Sequence, residues 1–491
     1  MGVSEKPGLL DNRLWAGKAF DGGWETSLGT ARDAVEPATG QVLSRVGIAS
    51  AVDMQAAIGR AQQAQAAWAA TGPRERAAVF HRAARIFEQH FDELALAVAR
   101  ETGGILPKGQ HEVREAITLS HLAAALPMQA QGQVLPSTPG RLSIARRVPH
   151  GVVGVISPFN FPLILGFRSV APALALGNAV VLKPDTRTPV SGGFMMARVL
   201  EEAGLPQGLL QVVPGDAEAG EALVVDERVP MIAFTGSPAV GRRIGALAGQ
   251  HLKKVSLELG GANNLIILED ADPDAAASAA AFGAWFHQGQ ICMAANRILV
   301  HASIADAILQ RLVGKATHLP VGDGASGQVA LGPMIDARQL QRFDQVIHDS
   351  VAQGAKLEAG GTFHGLYYQP TVLSCVKPGI RSFDEEPFGP VANLVTFRTD
   401  DEAVQLANTG QGGLAAAVIS PDVGRAMAIG QRLRAGMVHI NDQTVNDECT
   451  NPFGGPGVAG NGGSVGGPAD IDEYTQWQWI TIKDAPPAFP F

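Results

Sequence analysis

Short apolar runs alternate with helical stretches through most of the chain after residue 150, and this alternation limits the possible folds more than any other feature. The apolar runs of the first series have the length of strands and cover residues 152–156, 179–182, 210–213, 231–234 and 255–259. Strands that alternate with helices predict βαβ crossovers and a parallel, doubly wound sheet. Ligands bind to such a sheet beyond the carboxyl ends of its strands.

A second series of the same kind follows Gly261. Its predicted strands lie near residues 265–268, 298–300, 391–397, 415–419 and 437–440. Its predicted helices lie near residues 273–286, 303–316, 336–353, 401–408 and 421–434. The two series together predict the α/β fold class, with two doubly wound α/β domains.

The segments outside these series have other patterns. Residues 1–50 are predicted to be an irregular arm, and apolar residues at three- and four-residue spacing predict helices over 51–103 and 110–128. Residues 132–150 alternate in short segments that predict a projecting hairpin. Residues 474–483 alternate as a strand that we expect to pair with this hairpin as a small β element.

Charge and cysteine content argue against several classes of protein. The 491 residues carry a formal net charge of −9 without basic runs, which disfavours nucleic acid or an anionic membrane as a partner. The three cysteines are widely spaced and the twelve histidines include no HxxxH pattern, so neither a disulfide framework nor a metal site is expected. The first six residues lack the apolar core of a signal peptide, and the longest apolar run is interrupted. We therefore expect a soluble, cytoplasmic protein.

Cys292 lies in the segment Gly289-Gln-Ile-Cys-Met-Ala-Ala-Asn-Arg297, between an Ala-rich helical run and a short apolar strand. A cysteine in this position is either a small buried hydrophobic residue or a nucleophile, because a thiolate is reactive near neutral pH. His287 precedes it by five residues, which leaves a Cys–His pair as a further alternative.

Other candidate residues follow the ends of predicted strands. Asn160, in Ser157-Pro-Phe-Asn-Phe-Pro162, either satisfies a turn or donates to a developing oxyanion. Lys183 is either a solvated end of its strand or a ligand for a ribose hydroxyl or phosphate. Residues 234–241 open a helix with glycines five apart, which lets the backbone approach a pyrophosphate. Glu258 is either a general base with a raised pKa or a carboxylate paired with a nearby helix end.

The segment Gly455-Pro-Gly-Val-Ala-Gly460 matches G-x-G-x-x-G letter for letter. No predicted strand precedes this segment, and the glycine-rich residues after it are poor helix formers. We reject it as a dinucleotide site.

Seven segments, taken in order, resemble the NAD(P)-dependent aldehyde dehydrogenase superfamily. They are Pro158-Phe-Asn-Phe-Pro162, Lys183-Pro184, Phe234-Thr-Gly-Ser237, Leu257-Glu-Leu-Gly-Gly261, Gly289-Gln-Ile-Cys292, Glu385-Glu-Pro-Phe-Gly-Pro390 and Asn451-Pro-Phe-Gly-Gly455. The resemblance spans nearly the whole chain and implies an enzyme that oxidises an aldehyde to the carboxylic acid with NAD(P).

The resemblance also implies roles for individual residues. Cys292 would attack the aldehyde carbonyl, and the Asn160 side chain with the backbone N–H of Cys292 would hold the oxyanion. Loss of hydride to the nicotinamide would leave a thioester, and Glu258 would activate water to hydrolyse it. Lys183 and Glu386 would bind the two riboses, and Phe388 would lie near the nicotinamide. The remaining implied cofactor contacts are Ile156, Ser157, Phe159, Asp185, Thr186, Gly236, Ser237, Gly241, Leu259 and Gly260.

The chain departs from the common family pattern at three places. Thr186 stands where many members have a Glu that accepts from the adenosine ribose, so we expect NAD as cofactor with NADP tolerated beside it. The glycine pair is followed by Ala262-Asn-Asn264, where many members have Lys directly after the pair. Ile291 precedes Cys292 and bears on the substrate pocket.

Lys183-Pro-Asp-Thr-Arg-Thr188 and the ending that begins Thr475-Gln-Trp-Gln-Trp479 look most like the benzaldehyde (aryl-aldehyde) branch, which includes vanillin and salicylaldehyde dehydrogenases. We therefore expect an aromatic aldehyde as substrate. The alternatives are an aliphatic or semialdehyde dehydrogenase, a CoA-acylating aldehyde dehydrogenase, and a binding protein on the same fold. The expected substrate pocket, whose apolar members equally suit an ordinary core, consists of Phe161, Phe167, Arg168, Trp285, Ile291 and Met293.

The same resemblance implies a domain organisation. Residues 1–131 and 151–258 would form a Rossmann-like cofactor-binding domain, and residues 259–450 a catalytic domain. Residues 132–150 and 471–491 would form the oligomerisation hairpin and C-terminal strand, joined through the Gly/Pro-rich loop 451–470. We expect a homodimer or homotetramer that exchanges these strands between subunits.

Overall fold

The computed structural model describes residues 8–24, 26, 28–410 and 412–491. The N-terminal hexapeptide tested for a signal sequence lies outside these residues, as does the start of the predicted arm. The helices are α1 (Asn12–Trp15), α2 (Ala51–Ala70), α3 (Pro73–Gln89), α4 (Phe91–Thr102), α5 (Leu106–Ala125), α6 (Pro162–Ala175), α7 (Met195–Glu202), α8 (Ala217–Val225), α9 (Pro238–Gln250), α10 (Pro273–Trp285), α11 (Ala305–His318), α12 (Ala337–Ala352), α13 (Arg381–Asp384), α14 (Asp400–Ala407), α15 (Val423–Gly430) and α16 (Ala469–Tyr474).

The strands form separate sheets. They are β1 (Thr30–Val35), β2 (Val42–Ile48), β3 (Gly132–Leu135), β4 (Leu142–Pro149), β5 (Val152–Ile156), β6 (Ala179–Lys183), β7 (Leu210–Val212), β8 (Met231–Gly236), β9 (Lys254–Leu259), β10 (Asn264–Ile267), β11 (Arg297–His301), β12 (Lys356–Ala359), β13 (Phe363–His364), β14 (Tyr367–Tyr368), β15 (Thr371–Ser374), β16 (Val391–Phe397), β17 (Gly413–Ile419), β18 (Ala435–Ile440) and β19 (Thr475–Ile482).

The first sheet has the strand order β7-β6-β5-β8-β9 and is parallel throughout, which confirms the predicted doubly wound series. Every residue of β5 is buried, as expected of a strand covered on both faces. Because the sheet is parallel, the carboxyl ends of β5, β6, β8 and β9 meet along one edge.

The second sheet has the order β12-β15-β16-β11-β10-β17-β18 and is mixed rather than wholly parallel, because β12 runs antiparallel to β15. The predicted strands of this series are confirmed, but β12 and β15 were not predicted. The strand β12 reads Lys-Leu-Glu-Ala, lies at the sheet edge and is largely exposed, so it has no apolar run to reveal it.

Three antiparallel elements complete the described fold, and the smallest is the pair of β13 and β14. The strand β19 pairs with β4 over its whole length and β4 pairs with β3, which confirms the expected contact between the C-terminal strand and the hairpin. The prediction of an irregular arm over residues 1–50 is wrong in part, because β1 and β2 form a hairpin there. Only Ala34 of β1 is buried, so the strand shows little apolar alternation in sequence.

No helix in the described part of the chain is long and apolar enough to cross a membrane.

Candidate active site

A left-handed turn sets the course of the backbone just before Cys292. His287, Gln288 and Gly289 have φ angles of 48°, 56° and 65° in succession. Non-glycine residues hold such angles only where the surroundings determine them. Here the loop is fixed from its neighbours, since the Gln288 side chain donates to the Gly103 carbonyl and the Gln290 carbonyl accepts from Asn160. The cysteine is therefore presented by a strained and buried loop.

Asn263 attaches this loop to the second sheet. Its Nδ2 donates to the carbonyl oxygens of Cys292 at 2.7 Å and Ala294 at 3.0 Å. Its Oδ1 accepts from the backbone N–H groups of Leu414 and Ala415 in β17. Asn263, the second residue after the glycine pair, is thus a positioning side chain, a role that the sequence alone did not assign.

Asn160 lies beside the cysteine loop, at the end of β5. The side chain is buried, and Nδ2 donates to the carbonyl of Gln290 at 2.9 Å. An amide nitrogen carries two N–H groups, so the second remains for an oxyanion. The structure therefore brings Asn160 and Cys292 together across the two α/β units.

Cys292 is half-buried and lines a cavity. Burial raises the pKa of the Cys292 thiol, and the carboxylates of Glu386, Asp447 and Glu258 raise it further. This environment favours the protonated thiol, so Cys292 has to lose its proton before it can act as a nucleophile.

Glu258 lies at the end of β9 and is buried, with 5% of its surface exposed. Neither carboxylate oxygen has a hydrogen-bond partner among the residues described. Burial raises the pKa of Glu258 well above its ordinary value, against the opposing charge of Arg168. A carboxylate with a raised pKa and unused lone pairs is a stronger proton acceptor than an ordinary glutamate. Beside it lies a cavity of about 10 Å³, also lined by Arg168 and Ser256, which has room for about one water.

A larger cavity of about 230 Å³ opens at Cys292. Its lining residues are His111, Phe161, Ile164, Leu165, Phe282, Phe286, Ile291, Cys292, Met293, Val445, Asn446, Asp447 and Phe453. An apolar cavity of about 150 Å³ is large enough to hold benzene. This cavity therefore has room for an aromatic ring with substituents.

Three of the expected pocket residues do not line the cavity at Cys292. Phe167 is fully buried in the core, with its ring centroid 5.4 Å from that of Phe87, and does not line the cavity. Trp285 is buried in the core of the second sheet, where its Nε1 donates to the Thr371 carbonyl. Arg168 forms a bidentate ion pair with Asp447 and lines the small cavity behind Glu258 instead.

Several pocket residues were missed in the sequence. Phe282 and Phe286 stack with ring centroids 4.8 Å apart and an interplanar angle of 10°. Their four-residue spacing at the end of an Ala-rich helix was the available signal. Asp447 and Phe453 follow β18, far from Cys292 in sequence, and only the tertiary fold brings them to the cavity.

The expected cofactor residues gather at the carboxyl edge of the first sheet. Ile156, Lys183, Gly236 and Leu259 are the last residues of β5, β6, β8 and β9. Ser157, Asp185, Thr186 and Gly260 follow these ends, and Ser237 caps α9, in whose first turns Gly241 lies. The ring centroids of Phe159 and Phe388 lie 5.9 Å apart, so this edge of the first sheet contacts the loop after α13.

These residues fit a dinucleotide. The Oε1 atom of Glu386 is buried without a hydrogen-bond partner in the described structure, and burial raises the pKa of Glu386 to about 8. A buried carboxylate of this kind requires donors such as ribose hydroxyls. A Cβ atom on Gly260 would collide with the Glu386 carboxylate, so the glycine leaves space at this point. Lys183 is held with its Nζ donating to the Gly215 carbonyl at 2.7 Å.

The rejected G-x-G-x-x-G segment has a different role. The backbone N–H of Leu259 donates to Ala459, and Glu258 forms an isolated bridge with Gly460. The Asn461 side chain bonds to the backbone of Val255 and Leu257. The segment therefore covers the free edge of β9 beside Glu258.

His287 does not bond to Cys292. Its ring lies 5.3 Å from that of Phe161 in an edge contact. Across residues 8–24, 26, 28–410 and 412–491, no group of three or more His, Cys, Asp or Glu residues is arranged to hold a metal ion.

Comparison with known proteins agrees with this geometry. The chain is 52% identical to a vanillin dehydrogenase of Amycolatopsis sp. over 484 residues, which covers 98% of this chain and 100% of that protein. It is 47% identical to a benzaldehyde dehydrogenase [NAD(+)] of Pseudomonas putida, covering 97% and 98% of the two chains. The structure superposes on a salicylaldehyde dehydrogenase from Pseudomonas putida G7 complexed with salicylaldehyde, with a TM-score of 0.93, 33% identity and coverage of 97% and 100%. The model of the aldehyde dehydrogenase family matches residues 24–480, and the chain therefore belongs to that family.

Proposed function

We propose that this enzyme oxidises aromatic aldehydes to carboxylic acids with NAD, through a thioester on Cys292. The observation that carries the proposal is the cavity of about 230 Å³, which is lined by Cys292 and by the aromatic residues Phe161, Phe282, Phe286 and Phe453. A planar ring fills such a cavity, whereas a short aliphatic chain leaves much of its apolar wall without contacts. The aromatic aldehydes named for the relatives support the same substrate class.

In the first step the Cys292 thiolate adds to the carbonyl carbon of the aldehyde. The thiol loses its proton to solvent as the substrate binds, because only the thiolate is nucleophilic. Negative charge then develops on the former carbonyl oxygen. The free N–H of the Asn160 amide and the backbone N–H of Cys292 are the donors that stabilise it, and one such donor contributes about 10²–10³ in rate.

Loss of hydride from this adduct leaves a thioester on Cys292. When bound, the oxidised nicotinamide dinucleotide supplies the acceptor for that hydride. Glu258 then takes a proton from a water that attacks the thioester carbon, and the acid leaves as the sulfur is released. A hydrolytic base is needed for this step but not for transfer to coenzyme A, so Glu258 supports hydrolysis.

For the cofactor we propose NAD, with NADP tolerated. Lys183 and Glu386 would hold the two riboses, Gly236 and Ser237 the pyrophosphate, and Phe388 would lie near the nicotinamide. Thr186 carries no charge, so it does not repel a 2′-phosphate.

We further propose a cytoplasmic homodimer or homotetramer, with the cofactor-binding, catalytic and oligomerisation regions divided as in the domain prediction above. The free state of Cys292, Cys375 and Cys449 suits a reducing compartment. The apolar side chains exposed on the sheet of β19, β4 and β3 support an interface there.

An aldehyde panel tests the substrate class. Benzaldehyde, hydroxybenzaldehydes, vanillin and short aliphatic aldehydes are compared by kcat/KM, with NAD and NADP separately and with and without coenzyme A. We expect aromatic aldehydes to exceed aliphatic ones by at least about tenfold, because burial of a ring strengthens binding by more than the roughly 1.4 kcal/mol that this ratio requires. Phe282→Ala should reduce this preference, and Phe363→Ala, an aromatic residue of similar exposure outside the cavity, should not. A preference for aliphatic aldehydes, or a strict requirement for coenzyme A, would contradict the proposal.

A further inference from the structure

An arginine from the N-terminal hairpin reaches the strand end where the adenosine ribose is expected. Arg32 in β1 donates from Nη1 to the Thr186 hydroxyl oxygen at 2.9 Å. The same guanidinium forms a bidentate ion pair with Asp216, with distances of 2.9 and 2.8 Å. Lys183 lies beside this group, since its Nζ donates to the carbonyl of Gly215, the residue before Asp216. The fold alone brings Arg32 to these partners, because Thr186 and Asp216 are 154 and 184 residues away in sequence.

We propose that Arg32 is the ligand for a 2′-phosphate on the adenosine ribose, and that Asp216 competes with this phosphate for the guanidinium. The pair then sets the preference between NAD and NADP. This inference rests on the proposed function, because it presumes that the adenosine half of the cofactor binds at Lys183.

The chemistry of the side chains supports this assignment. A guanidinium presents two parallel N–H groups that match a carboxylate and a phosphate equally well. The Thr186 hydroxyl adds a donor next to the same guanidinium. The charge balance is even without a phosphate, because the cations Arg32, Lys183 and Arg187 are matched by the carboxylates Asp216, Asp185 and Asp336. A doubly charged phosphate is therefore accepted only when Arg32 turns away from Asp216.

Asp216 has a second partner available when Arg32 leaves it. It occupies the N-cap position of α8, yet its side chain makes no capping hydrogen bond there. An Asp at this position ordinarily accepts from the first backbone N–H groups of the helix. The ion pair is also half-exposed, with 47% and 57% of the two side chains accessible, so water weakens it. Exchange of Asp216 for a phosphate is therefore a rearrangement of low energetic cost.

The affinities of two nucleotides for the full-length protein, measured by calorimetry, test this subsite in a way that does not depend on enzyme activity. Adenosine 2′,5′-bisphosphate and adenosine 5′-monophosphate differ only in the 2′-phosphate. We expect Arg32→Ala to weaken binding of the bisphosphate by about tenfold, the effect of losing one charge-assisted hydrogen bond, and to change monophosphate binding less than about twofold. Asp216→Asn keeps a capping side chain and removes the competing charge, so it should tighten only the bisphosphate. Arg311→Ala breaks a comparable exposed ion pair with Asp274 and should change neither affinity.

The outcomes separate the subsite from the site as a whole. If Arg32→Ala weakens both nucleotides equally, or leaves their ratio unchanged, Arg32 is not a phosphate ligand and the inference is overturned while the adenosine site stands. If the unaltered protein binds the bisphosphate no better than Arg32→Ala does, the inference is overturned as well. If the unaltered protein binds neither nucleotide, the proposed cofactor site is wrong, and this inference is overturned with it.

Discussion

The carboxyl group of Glu258 is buried, and neither of its oxygens makes a hydrogen bond to the described residues. Such a group lowers the stability of the fold, because its desolvation is not offset by a partner. Unsatisfied polar groups concentrate at functional sites, where stability is given up for chemistry. The neighbouring Asn263, which makes hydrogen bonds through both side-chain polar atoms, shows the opposite case of a residue that only positions others.

Replacing Glu258 separates the two halves of the reaction. In Glu258→Gln we expect one equivalent of reduced cofactor per active site and then a stall, because the acyl-enzyme forms but water is not activated. The steady rate should fall by about 10²–10⁴-fold, the usual contribution of a general base. Rapid-mixing absorbance of the reduced cofactor measures both phases. Glu221→Gln, which changes a carboxylate paired with Arg243 on the surface, is the control. Continued turnover at the parent rate would make Glu258 a structural residue.

Glu258 should also determine how the rate of thioester hydrolysis depends on pH. Burial raises the pKa of Glu258, and only its deprotonated form accepts a proton. The hydrolytic rate should therefore rise with pH through a value well above that of an ordinary glutamate and fall away below it. Single-turnover hydrolysis of the acyl-enzyme across pH measures this limb. The limb should be absent in Glu258→Gln, and an unchanged limb in that variant would assign it to another group.

The structure places the three proposed catalytic residues close together, whereas it leaves some of the predicted pocket residues away from the cavity. Asn160, Glu258 and Cys292 each follow a motif at a strand end or loop, and the fold brings them to one crevice. The pocket depends on which side of a helix an apolar residue faces. Phe167 and Trp285 are both packed in the core. An apolar side chain suits the core and the wall of a cavity equally well, so the sequence does not show which of the two it occupies.

At the scale of elements, a buried ion pair positions the helix that follows Asn160. Glu112 on α5 accepts from the backbone N–H groups of Leu163 at 3.0 Å and Ile164 at 3.2 Å, in the first turn of α6. No side chain at the N-cap of α6 performs this task. Glu112 is paired with Lys108 at 2.5 Å, and both side chains are fully buried. The pair thus supplies the cap that α6 lacks.

Removing this carboxylate should destabilise the protein. Glu112→Ala leaves a buried ammonium and two N–H groups without their partner, which we expect to cost about 3–5 kcal/mol. Glu112→Gln keeps an acceptor for the helix and should lose less. Urea and thermal unfolding of both variants measure the effect, with Glu88→Ala on the exposed face of α3 as the control. An alanine variant as stable as the parent would show that α6 does not depend on this cap.

Strands could be predicted from the sequence where they are buried, because buried strands consist mainly of apolar residues. The central strands β5 and β6 are nearly continuous apolar runs, as expected of strands that are covered on both faces. The strands β1 and β12 are exposed, so their composition does not distinguish them from loops. The hairpin that delivers Arg32 was missed for this reason.

At the scale of the whole molecule, the proposed reaction centre lies where the two α/β units meet. The first sheet supplies Asn160 and Glu258, and the second unit supplies Cys292 and Glu386. Neither unit holds the complete set, so the relative position of the units fixes the distances on which the reaction depends. The third sheet, formed by β19, β4 and β3, contributes none of these side chains.

That third sheet carries apolar side chains in register on one face. Val134 pairs with Ile144, Ile144 with Ile480, and Leu142 with Ile482, so these residues share a face. Val134 is 74% exposed, and Leu142 and Ile482 are each nearly half-exposed. A row of exposed apolar residues across a sheet is typical of a subunit interface.

A charge placed in this row should separate the subunits. We expect Val134→Glu to reduce the molecular mass in solution, because burying an unpaired carboxylate in an apolar interface costs several kcal/mol. Sedimentation velocity over a range of protein concentrations measures the mass, and circular dichroism verifies that each subunit stays folded. Leu252→Glu, at an exposed apolar residue in the turn after α9, is the control and should keep the parent mass. A parent protein that sediments as a monomer contradicts the proposed assembly, and a Val134→Glu variant with the parent mass places the interface on another surface.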